Sequence, residues 1–96
     1  MSKPRAIVEF SKLEEEVKQR IKLHYPNGFD KHLIQFKNHK KHLISALPYE
    51  TEDKHYLIKM TREQAHEIIL NDDDYNENGI LKKDKKEEYQ KILETN

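Results

Sequence analysis

His32–Met60, which reads HLIQFKNHKKHLISALPYETEDKHYLIKM, decides the fold. On either side of it apolar residues recur every three or four positions. Inside it they alternate, which is the period of a half-buried strand. Three short strands are expected, at about 32–37, 42–48 and 55–60. The polar run Asn38-His39-Lys40-Lys41 joins the first two and Glu50 to Asp53 the second pair. Pro48 limits the second strand, because proline has no amide to give to a ladder. Placing residue 37 opposite 42, and 49 opposite 54, collects Ile34, Phe36, Leu43, Leu47, Tyr56, Ile58 and Met60 on one face, the expected core face. A slip of one residue would scatter that set. The other face then carries Leu33, Gln35, Lys37, His42, Ile44, Ala46, His55, Leu57 and Lys59.

The flanks read as helices. Ser11 and Glu14 match a capping box with Phe10 as its hydrophobic staple, and Leu13, Val17, Ile21 and His24 fall on one helical face. Glu14, Glu15 and Glu16 at the start and Lys22 and His24 at the end suit the helix dipole; Pro26-Asn27-Gly28 stops it. After the strands, Thr61 and Gln64 form a second capping box. Ala65, Ile68 and Ile69 stripe a helix at about 62–71. Asn71 to Gly79 is an acidic loop, and Leu81, Tyr89, Ile92 and Leu93 mark a last helix at about 82–94. Residues 1–6 read as a flexible tail. The expected fold is α+β in the order α-β-β-β-α-α: a three-stranded antiparallel sheet, the first two helices packed on one face, and a C-terminal helix that either covers the outer sheet face or leaves it open.

Ninety-six residues make one small domain, 1–96, with room for one modest core. Hydrophobic residues are 34% of the chain and charged residues 38%, but 18 basic groups balance 18 acidic ones and the apolar residues are periodic, which favours folding over disorder. The balance is uneven along the chain. Residues 1–60 hold 12 Lys/Arg against 8 Asp/Glu, and residues 61–96 hold 6 against 10. There is no cysteine, which removes disulfides, thiolate zinc sites and a Cys nucleophile and agrees with a reducing, cytoplasmic setting. The first residues lack the apolar run of a secretion signal, and nothing approaches the ~20 apolar residues of a membrane span.

Chemistry-bearing patterns are few. Six histidines (24, 32, 39, 42, 55 and 66) are spread over the chain, and a zinc site needs three or four converging on one point; no metal site and no cofactor is expected. Ser45 falls on the expected core face, the carboxylate runs read as a helix start and a loop, and two glycines make no phosphate cradle. No catalytic residue is assigned, and the chain is expected not to be an enzyme. The stretch Asp74-Tyr-Asn-Glu-Asn-Gly-Ile-Leu-Lys-Lys-Asp-Lys resembles an EF-hand calcium loop: Asp74, Asn76 and Asn78 take its first, third and fifth positions, Gly79 the sixth and Leu81 the eighth. Lys85 stands at the twelfth, where that family has a bidentate Glu.

Over residues 11–71 the α-β-β-β-α order resembles the double-stranded-RNA-binding domain. The resemblance implies that the loop Asn38-His39-Lys40-Lys41 enters a minor groove; the family's lysine cluster at the start of the second helix is here Thr61-Arg62-Glu63-Gln64-Ala65-His66, which lacks it. Two functional expectations follow. The first is a small binding or adaptor domain that meets a protein partner, or a second copy of itself, through the outer sheet face (Leu33, Ile44, Ala46, Leu57) and the 38–41 loop. The second is RNA or DNA binding through Lys37, His39, Lys40, Lys41, His42 and Lys59.

Overall fold

The computed structural model describes residues 3–94. Its first element is a strand, β1 (Arg5–Glu9), whose residues alternate between exposed and half-buried. The sequence RAIVE has the two-residue period of a strand, but it is short and its partner lies some fifty residues away. β1 runs parallel to β4 (His55–Lys59), with Ile7 opposite Leu57 and Val8 opposite Ile58. The ladder continues through the His55 amide, which donates to the Pro4 carbonyl at 3.0 Å. The tail expected over 1–6 is therefore strand from Arg5 onward; Met1 and Ser2 lie outside the described residues.

β2 (Ile34–Lys37), β3 (Leu43–Glu50) and β4 form the expected antiparallel meander, and the sheet order is β1-β4-β3-β2. The α+β class stands. The three-stranded antiparallel sheet is corrected to four strands with one parallel edge.

The register also differs, and the reason lies in the turns. Lys37 pairs with Leu43, Phe36 with Ile44, Gln35 with Ser45 and Ile34 with Ala46, one residue from the expected pairing. The Asn38 side-chain oxygen accepts from the amides of Lys40 (2.9 Å) and His42 (3.0 Å). The Asn38 amide donates to the His42 carbonyl, and Lys41 sits in the left-handed region at φ 65°. A three-residue loop closed by a left-handed residue is a standard hairpin connection, and its odd length moves β2 by one. Ile34 and Phe36 consequently leave the expected core face, and Leu33 joins the core instead. Between β3 and β4 the shift is two residues, Tyr49 opposite Tyr56, which preserves the faces. There Thr51 Oγ1 accepts from the Lys54 amide at 3.0 Å and extends the turn to residue 54.

α1 (Glu15–His24) begins without the expected capping box. Ser11 lies in a single 3-10 turn, Phe10–Lys12, that carries the chain off β1, and Glu14 precedes the helix with no side-chain cap. α2 (Arg62–Leu70) has the box that Thr61 promised: Gln64 N donates to Thr61 Oγ1 at 3.1 Å, and Thr61 N donates to Gln64 Oε1 at 2.8 Å. α3 (Lys83–Glu94) packs on α1. The core gathers Ile21 of α1 and Tyr25 at its C-terminal cap, Phe29, Leu47, Ile58, Met60, Ala65 and Ile69 of α2, Tyr75 and Leu81, with Val8, Leu33 and Tyr49 packed against it. One sheet face is thus covered by the helices and the 72–82 loop. α3 joins that helical layer through α1.

Candidate functional site: an open sheet face and a basic hairpin

Strand alternation fixes the second face of the sheet. Leu47 and Ile58, opposite one another and fully buried, point to the helices; their neighbours point away. Ile7, Leu57 and Pro48 form one row across the strands. Glu9, Lys59, Ala46 and Ile34 form the next, Ile44 and Phe36 lie beyond, and Arg5, His55 and Glu50 close the other end. The middle of this face is apolar. Ala46 and Leu57 are buried, yet both stand outside the main core cluster, while Ile7 is 52% and Ile34 42% exposed. Of the patch expected from sequence, Ile44, Ala46 and Leu57 are on this face; Leu33 is not, and Ile7, Ile34, Phe36 and Pro48 are added. The alternation of RAIVE and the odd hairpin loop are the signals that would have placed them.

The basic candidates divide between two places. Lys37, His39, Lys40, Lys41 and His42 share the β2–β3 hairpin, all exposed. Lys37, Lys40 and Lys41 enter no ion pair among the described residues, unlike Lys3 with Glu50 (3.4 Å) or Arg20 with Glu16 (3.0 Å). Lys59 is on β4, opposite Glu9 and Ala46 on the open face. Lys37 pairs with Leu43 and so faces the helical side, where the expected outer face had placed it on the other.

The EF-hand-like loop is built differently from a calcium site. Lys22 of α1, 7% exposed, sends its ammonium between two carboxylates: 2.6 Å from Asp72 and 2.9 Å from Asp74. Tyr89 of α3 donates its hydroxyl to the same Asp74 oxygen. A protein cation therefore stands against the carboxylate that the first calcium-loop position would supply. Asn76 spends its side-chain oxygen on the amides of Asn78 (2.8 Å) and Ile80 (3.0 Å), and Lys85 turns to Glu88. Burial alone would push the Lys22 pKa down, but the hydrogen bonds to Asp72 and Asp74 outweigh it and hold it above the ordinary value. Burial alone would raise Asp74; the hydrogen bonds from Tyr89 and Lys22 win and hold it below the ordinary carboxylate value. The Tyr75 phenol is pushed up by burial and by the nearby carboxylates, and it donates to the Tyr25 carbonyl at 3.0 Å. The network ties α1, the loop and α3 together, and nothing in the sequence alone pairs residue 22 with 72 and 74.

The histidines do not converge. His24 lies against Tyr25 and Tyr49, His32 against Tyr25, and His55 Nδ1 is 3.7 Å from Glu50. Among the described residues no three His, Cys, Asp or Glu side chains are grouped to hold a metal. Ser45 gives its hydroxyl to the Met60 carbonyl at 2.7 Å. No helix among the described residues is long and apolar enough to cross a membrane. No family model, no curated protein and no solved structure matches the chain.

Proposed function

We propose that the chain is a non-catalytic binding domain that docks a protein partner on its open sheet face. The observation that carries this reading is the pair Ile7 and Ile34, about half exposed on an apolar face that lies opposite the helical layer. A contiguous apolar surface rimmed by charge marks a contact site in a small domain. Arg5, His55, Lys59, Glu9 and Glu50 provide that rim. The Ser45 hydroxyl, committed to a backbone carbonyl, fits a binding role better than a nucleophilic one.

The test compares wild type with Ile7→Asp/Ile34→Asp in pull-downs from the native cell, with circular dichroism to confirm folding. Loss of a specific partner in the folded variant supports the reading; an unchanged set of captured proteins overturns it. Sedimentation at rising concentration separates a second copy of the chain from a different protein. A nucleic-acid reading has one observation in its favour: Lys37, Lys40 and Lys41 enter no ion pair among the described residues. It predicts affinity that falls steeply with salt through counterion release, and absence of binding at low salt would end it.

A further inference from the structure

β3 is longer than the strand beside it. β4 ends at Lys59, opposite Ala46, and only the Met60 amide, bonded to the Ser45 carbonyl at 3.2 Å, carries the ladder further. At Thr61 the chain turns away into α2. β3, however, begins at Leu43. The bond from Asn38 N to the His42 carbonyl directs residues 42 and 44 toward β2, so the amide and carbonyl of Leu43 and Ser45 point the other way. Leu43 therefore directs its peptide groups to the side from which β4 has already departed. In its place lies a trough of about 920 Å³, at the upper end of ligand-pocket sizes. One wall is a single face of α2 (Gln64, Glu67, Ile68) continued by its C-terminal cap Asn71, and another is the turn after β1 with Phe10. The Leu43 side chain, 62% exposed, stands in it.

We propose that this trough takes an extended, acidic segment of a partner protein by strand addition to β3. An exposed strand edge supplies main-chain hydrogen bonds to any extended chain, and the flanking walls select its side chains. Leu43, Phe10 and Ile68 select an apolar residue. The charge preference comes from the hairpin end, where His42 and Lys59 line the trough; Lys37, Lys40 and Lys41 lie outside the lining but share the hairpin with Asn38 and His42, which do line it, and enter no ion pair among the described residues. Of the two acids in the lining, Glu9 is held by Lys12 at 3.5 Å and Glu67 lies on α2, so the acidic end of the segment belongs at the hairpin. The trough shares Glu9, Ile44 and Lys59 with the margin of the open sheet face, but it depends on the Leu43 peptide groups and not on Ile7 or Ile34, so the two readings fail separately.

The test is an amide NMR titration of the full chain with a nine-residue peptide that alternates valine with glutamate. Its lysine-for-glutamate counterpart, a copy N-methylated at alternate amides, and an oligouridylate are titrated in parallel. The proposal expects shifts centred on Leu43, Ser45 and Ile68, slowed exchange of the Leu43 amide, affinity about tenfold weaker for folded Lys40→Glu/Lys41→Glu, and no binding of the N-methylated copy. Equal binding of the lysine or N-methylated peptide overturns it, as does binding of oligouridylate alone. Shifts confined to Ile7, Ile34 and Leu57 also overturn it while leaving the sheet-face reading intact. Shifts at Leu43 that grow with protein concentration and no peptide assign the trough to a second copy and overturn the acidic segment.

Discussion

Replacing Lys22 with methionine keeps an unbranched four-atom stem and removes the ammonium group with its charge and donors. Two carboxylates, Asp72 and Asp74, are then left facing each other with side-chain exposures of 17% and 13%. Removing one member of a buried ion pair costs about 3–5 kcal/mol, because the charge left behind is neither solvated nor paired. The carboxylates keep some water and Asp74 keeps Tyr89, so the low end applies, about 3 kcal/mol. Against a domain stability of about 5–15 kcal/mol, that lowers Tm by roughly 12–24 °C for a chain this size. The penalty depends on pH, and its sign follows from the two shifts. Asp74 is held below its ordinary value of 3.8, so its contribution is present above that pH and is lost as pH falls through the folded value. Lys22 is held above 10.5, so its contribution is present below that pH and is lost as pH rises through the folded value. The gap between wild type and Lys22→Met should be widest near neutrality and narrow as pH falls below 3.8. Urea titrations of both proteins at pH 3, 5 and 7 measure it. A gap under 1 kcal/mol at pH 7, or one that does not change with pH, refutes the reasoning.

Calcium added to the wild-type protein should leave the Gly79 amide resonance in place, since Lys22 holds the Asp74 carboxylate; a saturable shift at millimolar calcium would contradict this. Thr61→Ala should cost about 1 kcal/mol by loss of a working cap, whereas Ser11→Ala should cost almost nothing, and denaturant midpoints distinguish the two. Leu47→Ala, in the centre of the core, should cost about 2–5 kcal/mol, while Ile34→Asp on the open face should change stability by less than about 1 kcal/mol. If Ile34→Asp proved as damaging as Leu47→Ala in the same urea series, Ile34 would belong to the core.

Much of the architecture is local and legible. The Thr61 box, the α2 stripe and the alternation in 55–60 are each set by neighbours within four residues, and they stand as read. Non-local features escaped. β1 exists because RAIVE finds β4 across the domain, and no short-range pattern names that partner. The Ser11 box failed for the same reason: the chain leaving β1 needs a turn at Phe10–Lys12 before a helix can begin. The register turned on one residue. Asn38 and the left-handed Lys41 set an odd loop length, and that alone exchanged Ile34 and Phe36 for Leu33 between core and surface. Three of the seven apolar positions of the candidate site, Ile44, Ala46 and Leu57, were thus visible from the alternation of β3 and β4. Ile7 and Ile34 were hidden behind a missed strand and a slipped register. The Lys22–Asp72–Asp74 network joins residues some fifty positions apart, and charges so common in this chain carry no mark of their partner.

Ile7 and Ile34 should stand open on the sheet in the free protein and become covered when a protein partner docks. The most direct measurement is methyl NMR with a paramagnetic co-solute, recorded on the free protein and on its complex with the captured partner. The Ile7 and Ile34 methyls should broaden strongly in the free protein, with Ile21 and Ile58 unaffected, and should be protected in the complex. An Ile34 methyl as shielded as Ile58 in the free protein, or one left equally exposed in the complex, would contradict it.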